Sequence, residues 1–325
     1  MLKKYFSLKG LFAFACFAML VFLIIRVNRL DDKISAVARP SKIFSIGQII
    51  SEYPYNPEWE VSTPPELVNF VNMLTQQSFY WLGKGAQATA FVSEDQEYVL
   101  KFCHQGRLRD VPFMHNPLGY LFSKEFRSSM DERKSHREEI FLSSKMAYEE
   151  FPEESGILYV HLNRTNDQIK GMKLHDHCGL SYRVRGDDTS FILQRRADYV
   201  LPTIKRLMSE ARVEEAKARI DQIFQLLLTM AKKGFLDGDL ALMRNNNIGF
   251  VRDRAIYIDT GHITRRNQVN VKDRMIYEFD TRVAPLHDWL KVRYPELAAY
   301  YKEREAQILA SLPNKPVAAL AKKTK

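Results

Sequence analysis

Residues 234–250 read GFLDGDLALMRNNNIGF, and residues 255–262 read AIYIDTGH. The first stretch leaves a run in which Ala216, Ile220, Ile223, Leu227 and Met230 recur on one stripe. That spacing predicts a long helix from about Val213 to Lys232. Beyond it come two aspartates, Asp237 and Asp239, and the asparagines Asn245, Asn246 and Asn247, in a segment too irregular for a helix. The second stretch is a β-branched strand, Ala255–Ile258, ending in Asp259-Thr260-Gly261. Asp259 lies twelve residues beyond Asn247. Carboxylate and amide oxygens are the hard donors that Mg²⁺ prefers.

Working outward, residues 82–92 read LGKGAQATAFV, with Gly83, Gly85 and Ala88 at GxGxxA spacing. Small residues there let backbone N–H groups approach phosphate without an intervening Cβ. A dinucleotide-binding turn requires a helix straight afterwards, whereas this chain returns as a strand. Sixteen residues after Gly85, the run YVLKF sets Lys101 inside an apolar strand. Burying an ammonium is costly without an anionic partner. Helical spacing over about 131–151 puts Glu138 and Glu139 just ahead of Phe141, Leu142 and Met146. Shorter extended runs follow at Ile157–Leu162 and Phe191–Gln194, the latter opening FILQRRADYV.

In this order the segments resemble the protein-kinase superfamily, over roughly Phe79 to Ile263. DGD at Asp237–Asp239 resembles the HGD of aminoglycoside and lipopolysaccharide-core kinases more than the HRD of protein kinases. The resemblance implies an α+β, two-lobed protein-kinase-like fold and an atypical bacterial member. Only 66 residues follow Asp259, without an APE motif, so the C-lobe is shortened. It implies ATP and Mg²⁺, with Gly83, Gly85 and Ala88 covering the phosphates and Lys101 orienting them. Glu138, with Glu139 as the alternative, holds Lys101. Adenine meets the hinge around Gln194 to Ala197. Asp239 orients the acceptor hydroxyl, with Asp237 the next candidate, and Asn247 and Asp259 bind the metal. Seven residues separate Asp239 from Asn247 where protein kinases have four, so Asn245 and Asn246 stay open as ligands. The activity implied is phosphoryl transfer to an unidentified hydroxyl-bearing acceptor. The alternative is a pseudokinase, a nucleotide-binding or scaffolding module.

Residues 11–25 form an apolar run, LFAFACFAMLVFLII, flanked by Lys3, Lys4, Lys9, Arg26 and Arg29. This reads as one transmembrane helix extended by snorkelling basic residues. A cleaved leader fits less well, because RVNRLDDKI separates the run from the small residues Ala36 and Ala38. The expected organisation is an anchor (1–29), a linker (30–62), an N-lobe (63–200), a C-lobe (201–312) and a basic tail (313–325). A helix opens the N-lobe, with Thr63 as cap, Pro64 at its first position and Glu66 completing a capping box. Basic residues flank both ends of the anchor, and use of ATP places the kinase-like domain in the cytosol.

The net charge of +9 favours anionic partners, but no run of five Lys or Arg marks dedicated nucleic-acid binding. Cys16, Cys103 and Cys178 form no disulfide framework. His161, His175, His177 and Cys178 include an HxHC with zinc-donor chemistry but no nearby fourth ligand. His262 reads as a surface residue or a neighbour of the site, and Arg265 and Arg266 either bind an anionic substrate or solvate the loop.

Overall fold

Alternating apolar residues in the first half build one large sheet. The computed structural model describes residues 44–51, 53–85, 87–104, 138–238, 247–314 and 317–318. Helix α1 (Pro65–Leu74) precedes three strands, β1 (Ser78–Lys84), β2 (Ala88–Ser93) and β3 (Tyr98–Cys103), paired antiparallel in sequence order. Helix α2 covers residues 138–150, so the first residues of the helix expected from 131 lie outside the described residues. Strands β4 (Ile157–His161), β5 (Gly171–His175), β6 (Ser181–Arg185) and β7 (Phe191–Arg195) follow. The sheet order is β4-β7-β3-β2-β1-β5-β6. At its centre Phe102 meets Phe91 edge-on and Phe191 at a tilt, each with ring centroids 5.9 Å apart, and all three are fully buried.

The β5–β6 hairpin is an insertion, with β5 running parallel to the free edge of β1. Met172, Leu174 and Val184 face inward from it. It also disperses the histidines weighed as zinc donors. His161 is buried between the Thr189 carbonyl and the Thr165 hydroxyl, His175 stacks on Tyr80 and His177 lies against Trp81. Among the described residues no group of three or more His, Cys, Asp or Glu side chains is placed to hold a metal.

Two expectations at the start of the domain are corrected. Helix α1 begins at Pro65, because a residue before proline is pushed into extended backbone, and Pro64 is so placed (φ −60°, ψ 143°). Thr63 turns its hydroxyl to the Val61 carbonyl at 3.4 Å and does not cap; the Pro64 carbonyl accepts from the N–H groups of Leu67 and Val68. The segment 45–62, expected as linker, packs onto the domain through Ile49, Tyr53 and Trp59, all buried. Trp59 meets Phe141 of α2 edge-on at 4.8 Å, and the Ser51 N–H donates to the Asp188 carbonyl at 2.7 Å. Burying such side chains is worth about 2 kcal/mol each, enough to hold a segment that has little regular structure. The span expected at 11–25 lies outside the described residues; among those described, no helix is long and apolar enough to cross a membrane.

The second half is mostly helical. A two-residue strand, β8 (Asp198–Tyr199), leads into α3 (Val200–Ser209) and α4 (Val213–Lys233). The stripe read from the sequence is the buried face of α4, and Gly234 ends the helix in the left-handed region (φ 80°). After β9 (Phe235–Asp237) come β10 (Ile248–Val251), β11 (Arg254–Tyr257) and β12 (Ile263–Arg265). Helix α5 (Val271–Tyr277) continues as a π-helical turn over Glu278–Arg282, then α6 (Ala284–Arg293) and α7 (Pro295–Ser311) complete the unit. Phe224 of α4 packs edge-on against Phe279 and Tyr301, joining these helices into one core.

Candidate functional site

The cleft lies where the sheet meets the helical half, as two adjoining spaces of about 490 and 460 Å³. Gly85, Ala90, Lys101, Gln194, Tyr199 and Ile258 border both. Gly83 and Gly85 line the outer space, and Ala88, Asn247 and Asp259 line the inner one. Five segments separated by up to 176 positions therefore meet here. The glycine turn is a hairpin between β1 and β2, closed by the Gly85 N–H donating to the Ala88 carbonyl at 2.9 Å.

Ile258 is the junction of the site. Its N–H donates to the Asn247 carbonyl at 2.7 Å, which ties the strand before Asp259 to the exit of the loop at 247. Its carbonyl accepts from both Lys101 Nζ and Gln194 Nε2. One peptide unit thus fixes Lys101, Asn247 and Asp259 about a common space. The Asp259 carboxylate accepts from the Gly261 N–H at 3.0 Å, which orients it. Burial pushes the Lys101 ammonium down to about 8, and the Asp259 charge opposes that shift. Burial likewise pushes the Cys103 thiol up to about 12, so this neighbour of Lys101 is a poor nucleophile at neutral pH.

Helix α2 grips the Asp259 loop through Ser143, whose hydroxyl donates to the Thr260 and Ile263 carbonyls. Among the described residues no carboxylate stands within ion-pair distance of Lys101. Glu138 is half-buried at the start of the described part of α2, whereas Glu139 stands 3.8 Å from His262 Nδ1. The other ring nitrogen of His262 lies 3.3 Å from Gln87 Nε2 in the glycine turn. His262, read as a surface or neighbouring residue, therefore bridges the turn and α2. Its place directly after Asp259-Thr260-Gly261 was the available signal.

The segment expected to be the hinge, Gln194 to Ala197, leads from the end of β7 into β8. The N–H groups of Arg195 and Arg196 are engaged by the carbonyls of Gly156 and Glu97. Beyond them β8 pairs with β10, Gly249 opposite Tyr199 and Phe250 opposite Asp198. Gly249 is needed for this approach. A Cβ there would meet the Asp198 carbonyl and Ile258 Cδ1 at 2.8 Å and Ala197 Cβ at 2.9 Å.

Asp239, Asn245 and Asn246 lie outside the described residues, and Asn247 is buried at the edge of the cleft. Asp237 is held fast. Its carboxylate pairs with Arg282, which is 1% exposed and also pairs with Glu278 at 2.7 Å. Arg274 reaches Glu278 at 2.5 Å and the Asp237 carbonyl at 3.2 Å. Burial opposes the Arg282 charge, but Tyr257, Glu278 and Asp237 more than compensate, and its pKa is raised. A carboxylate so paired is a strut rather than a free base. Arg265, considered for anion binding, pairs with Glu150 at 2.7 Å.

The arrangement is an α+β fold in which a mixed sheet and a helical half meet at one cleft, as a protein-kinase-like fold implies. Glycine hairpin, strand lysine, packed helix, hinge, loop with Asn247 and strand ending in Asp259 stand in the implied order around one cleft. No family model and no curated protein matches the chain. Among solved structures it is similar to monomeric WbdD, at 17% identity and TM-score 0.33, covering 67% of this chain and 45% of that one. The bifunctional kinase-methyltransferase WbdD matches at 18% identity and TM-score 0.30, covering 70% and 43%. The LegK7 effector kinase of Legionella pneumophila matches at 10% and 0.25, covering 76% and 38%. The chain thus spans less than half the length of each, and the class rests on the topology and the cleft described above.

Proposed function

We propose that this chain is an ATP- and magnesium-dependent phosphotransferase whose acceptor carries a hydroxyl group. The observation that carries the reading is the Ile258 peptide, which sets a half-buried lysine ammonium and a carboxylate about one cleft beneath a glycine hairpin. The donor set fits the metal: Asp259 and the Asn247 side chain offer hard oxygens on the inner wall. When bound there, magnesium supplies charge neutralisation on the transferred phosphoryl group. Lys101 binds and orients the α- and β-phosphates, whose negative charge favours its protonated form. Gly83, Gly85 and Ala88 keep the turn free of large side chains, so that its backbone can lie close over them. Ala197 offers hinge backbone to the base. Asp239 accepts a hydrogen bond from the acceptor hydroxyl and fixes its line of attack. The pinned Asp237 gives the strand before that loop a rigid end.

The apolar run at 11–25 is assigned as the membrane anchor, with the catalytic domain in the cytosol where ATP is abundant. Protease accessibility in intact cells tests that placement, and digestion of the domain from outside would overturn it.

Activity is tested by incubating the purified protein with labelled ATP and Mg²⁺, following self-phosphorylation and ADP release. Asp239→Asn is expected to retain ATP affinity while losing most phosphoryl transfer. Asp259→Asn is expected to weaken the magnesium-dependent binding itself. Binding without turnover in the wild type would favour the scaffolding alternative. Equal turnover in wild type and Asp239→Asn would show that another group serves as base.

A further inference from the structure

Gln194, next to last in β7, borders both spaces of the cleft and is only 3% exposed. Its Nε2 is surrounded by three backbone carbonyls, those of Ser155 at 2.6 Å, Tyr257 at 3.0 Å and Ile258 at 3.2 Å. Three acceptors around one atom identify it as the amide nitrogen, since the oxygen there would face lone pairs on every side. The network therefore fixes the flip of the side chain. The other end, Oε1, is a pure acceptor, and among the described residues no donor reaches it. Nor is that oxygen among the buried polar atoms sealed off without a partner, so it keeps access to the cleft. An acceptor held rigidly on the cleft wall disfavours any ligand that cannot donate to it.

We propose that Gln194 Oε1 reads the base edge of the bound nucleoside triphosphate and selects a purine with an exocyclic amine at position 6. The inference rests on the nucleotide reading above and adds to it the residue and the chemical feature that set base choice. An adenine-type amine has two N–H groups, so it can donate to Oε1 and still donate to a second acceptor. A 6-oxo purine puts lone pairs against Oε1 at the same place. Rejection then comes from repulsion as well as from the missing bond. The amide cannot turn to relieve it, because a flip would set Oε1 against the carbonyls of Ser155, Tyr257 and Ile258. Hinge backbone supplies general base affinity, and Gln194 supplies the discrimination.

The test is the affinity of the purified full-length protein, in detergent, for the magnesium complexes of ATP and ITP, which differ at position 6. The wild type should bind ATP at least about tenfold more tightly, the ratio of one neutral hydrogen bond together with an opposed acceptor pair. Gln194→Met, which keeps the volume and removes the acceptor, should bring the ratio within about twofold. Lys101→Met should weaken both nucleotides alike and leave the ratio standing. Because Gln194→Met also removes a donor shared by three carbonyls and can fail to fold, N6,N6-dimethyl-ATP serves as a second probe on the wild type. It should bind about as weakly as ITP. Equal binding of ATP and ITP, an unchanged ratio in Gln194→Met, or full affinity for the dimethyl analogue each overturn the assignment and leave nucleotide binding intact. Binding of no nucleotide at all overturns both.

Discussion

Replacing Arg282 with Met removes the cation at the centre of a buried four-residue network. Arg282, Glu278 and Asp237 are nearly inaccessible, with side-chain exposures of 1%, 4% and 4%. Glu278 retains Arg274 at 2.5 Å, so it keeps a partner after the substitution. Asp237 loses the guanidinium, while its backbone carbonyl still accepts from Arg274. Stranding one charge of a buried pair costs about 3–5 kcal/mol, against about 5–15 kcal/mol for the stability of a whole domain. Urea unfolding followed by tryptophan fluorescence should show a loss of that size, with Trp59 and Trp289 reporting from the two halves. Adding Asp237→Asn to Arg282→Met should recover roughly 1–3 kcal/mol, because the second change neutralises the carboxylate that Arg282 had paired. A loss below about 1 kcal/mol, or no recovery in the double variant, would refute the view of Asp237 as a buried strut.

Two further outcomes follow from the cleft. Lys101, pushed from 10.5 to about 8 by burial, should react with an amine-directed acylating reagent with a midpoint near pH 8, well below exposed lysines, and bound nucleotide should protect it. Between about pH 8 and 10.5 the unfolded chain holds this proton and the native chain does not, so the contribution of Lys101 to stability rises with pH across that window. Gly249→Ala should cost about 1–3 kcal/mol in the same unfolding assay, because its Cβ presses on the Asp198 carbonyl at 2.8 Å. It should also weaken nucleotide binding by displacing the hinge, and wild-type affinity would refute that link.

What was legible in the sequence followed from local periodicity and from residues that are costly without a reason. The stripe on α4 is a repeat of 3.6 residues, and Lys101 stood out because an ammonium inside an apolar strand needs a partner. The β5–β6 hairpin was not legible. Its alternation at Met172, Leu174 and Val184 is short, and its pairing with β1 joins segments more than ninety positions apart. Trp59 looked like part of a linker because its cover, Phe141, is remote in sequence. Asp237 showed its type but not its partner, since Arg282 lies 45 positions on and reaches back through a π-helical turn. Gln194 was read for its hinge backbone, whereas its side chain is fixed by three carbonyls from two other segments. Pairings of that kind arise from topology, and single-sequence patterns do not encode them.

The central claim is that Lys101, Asn247 and Asp259 meet at one nucleotide-phosphate site that also holds magnesium. Thermal unfolding of the protein with millimolar ATP, in the presence and absence of Mg²⁺, tests it most directly. Ligand at about a hundredfold over its Kd stabilises by about 2.7 kcal/mol, a shift of several degrees. The account predicts that shift with ATP and Mg²⁺ together, a smaller one with ATP alone, and its loss in Asp259→Asn. No stabilisation by ATP with or without Mg²⁺ would contradict it.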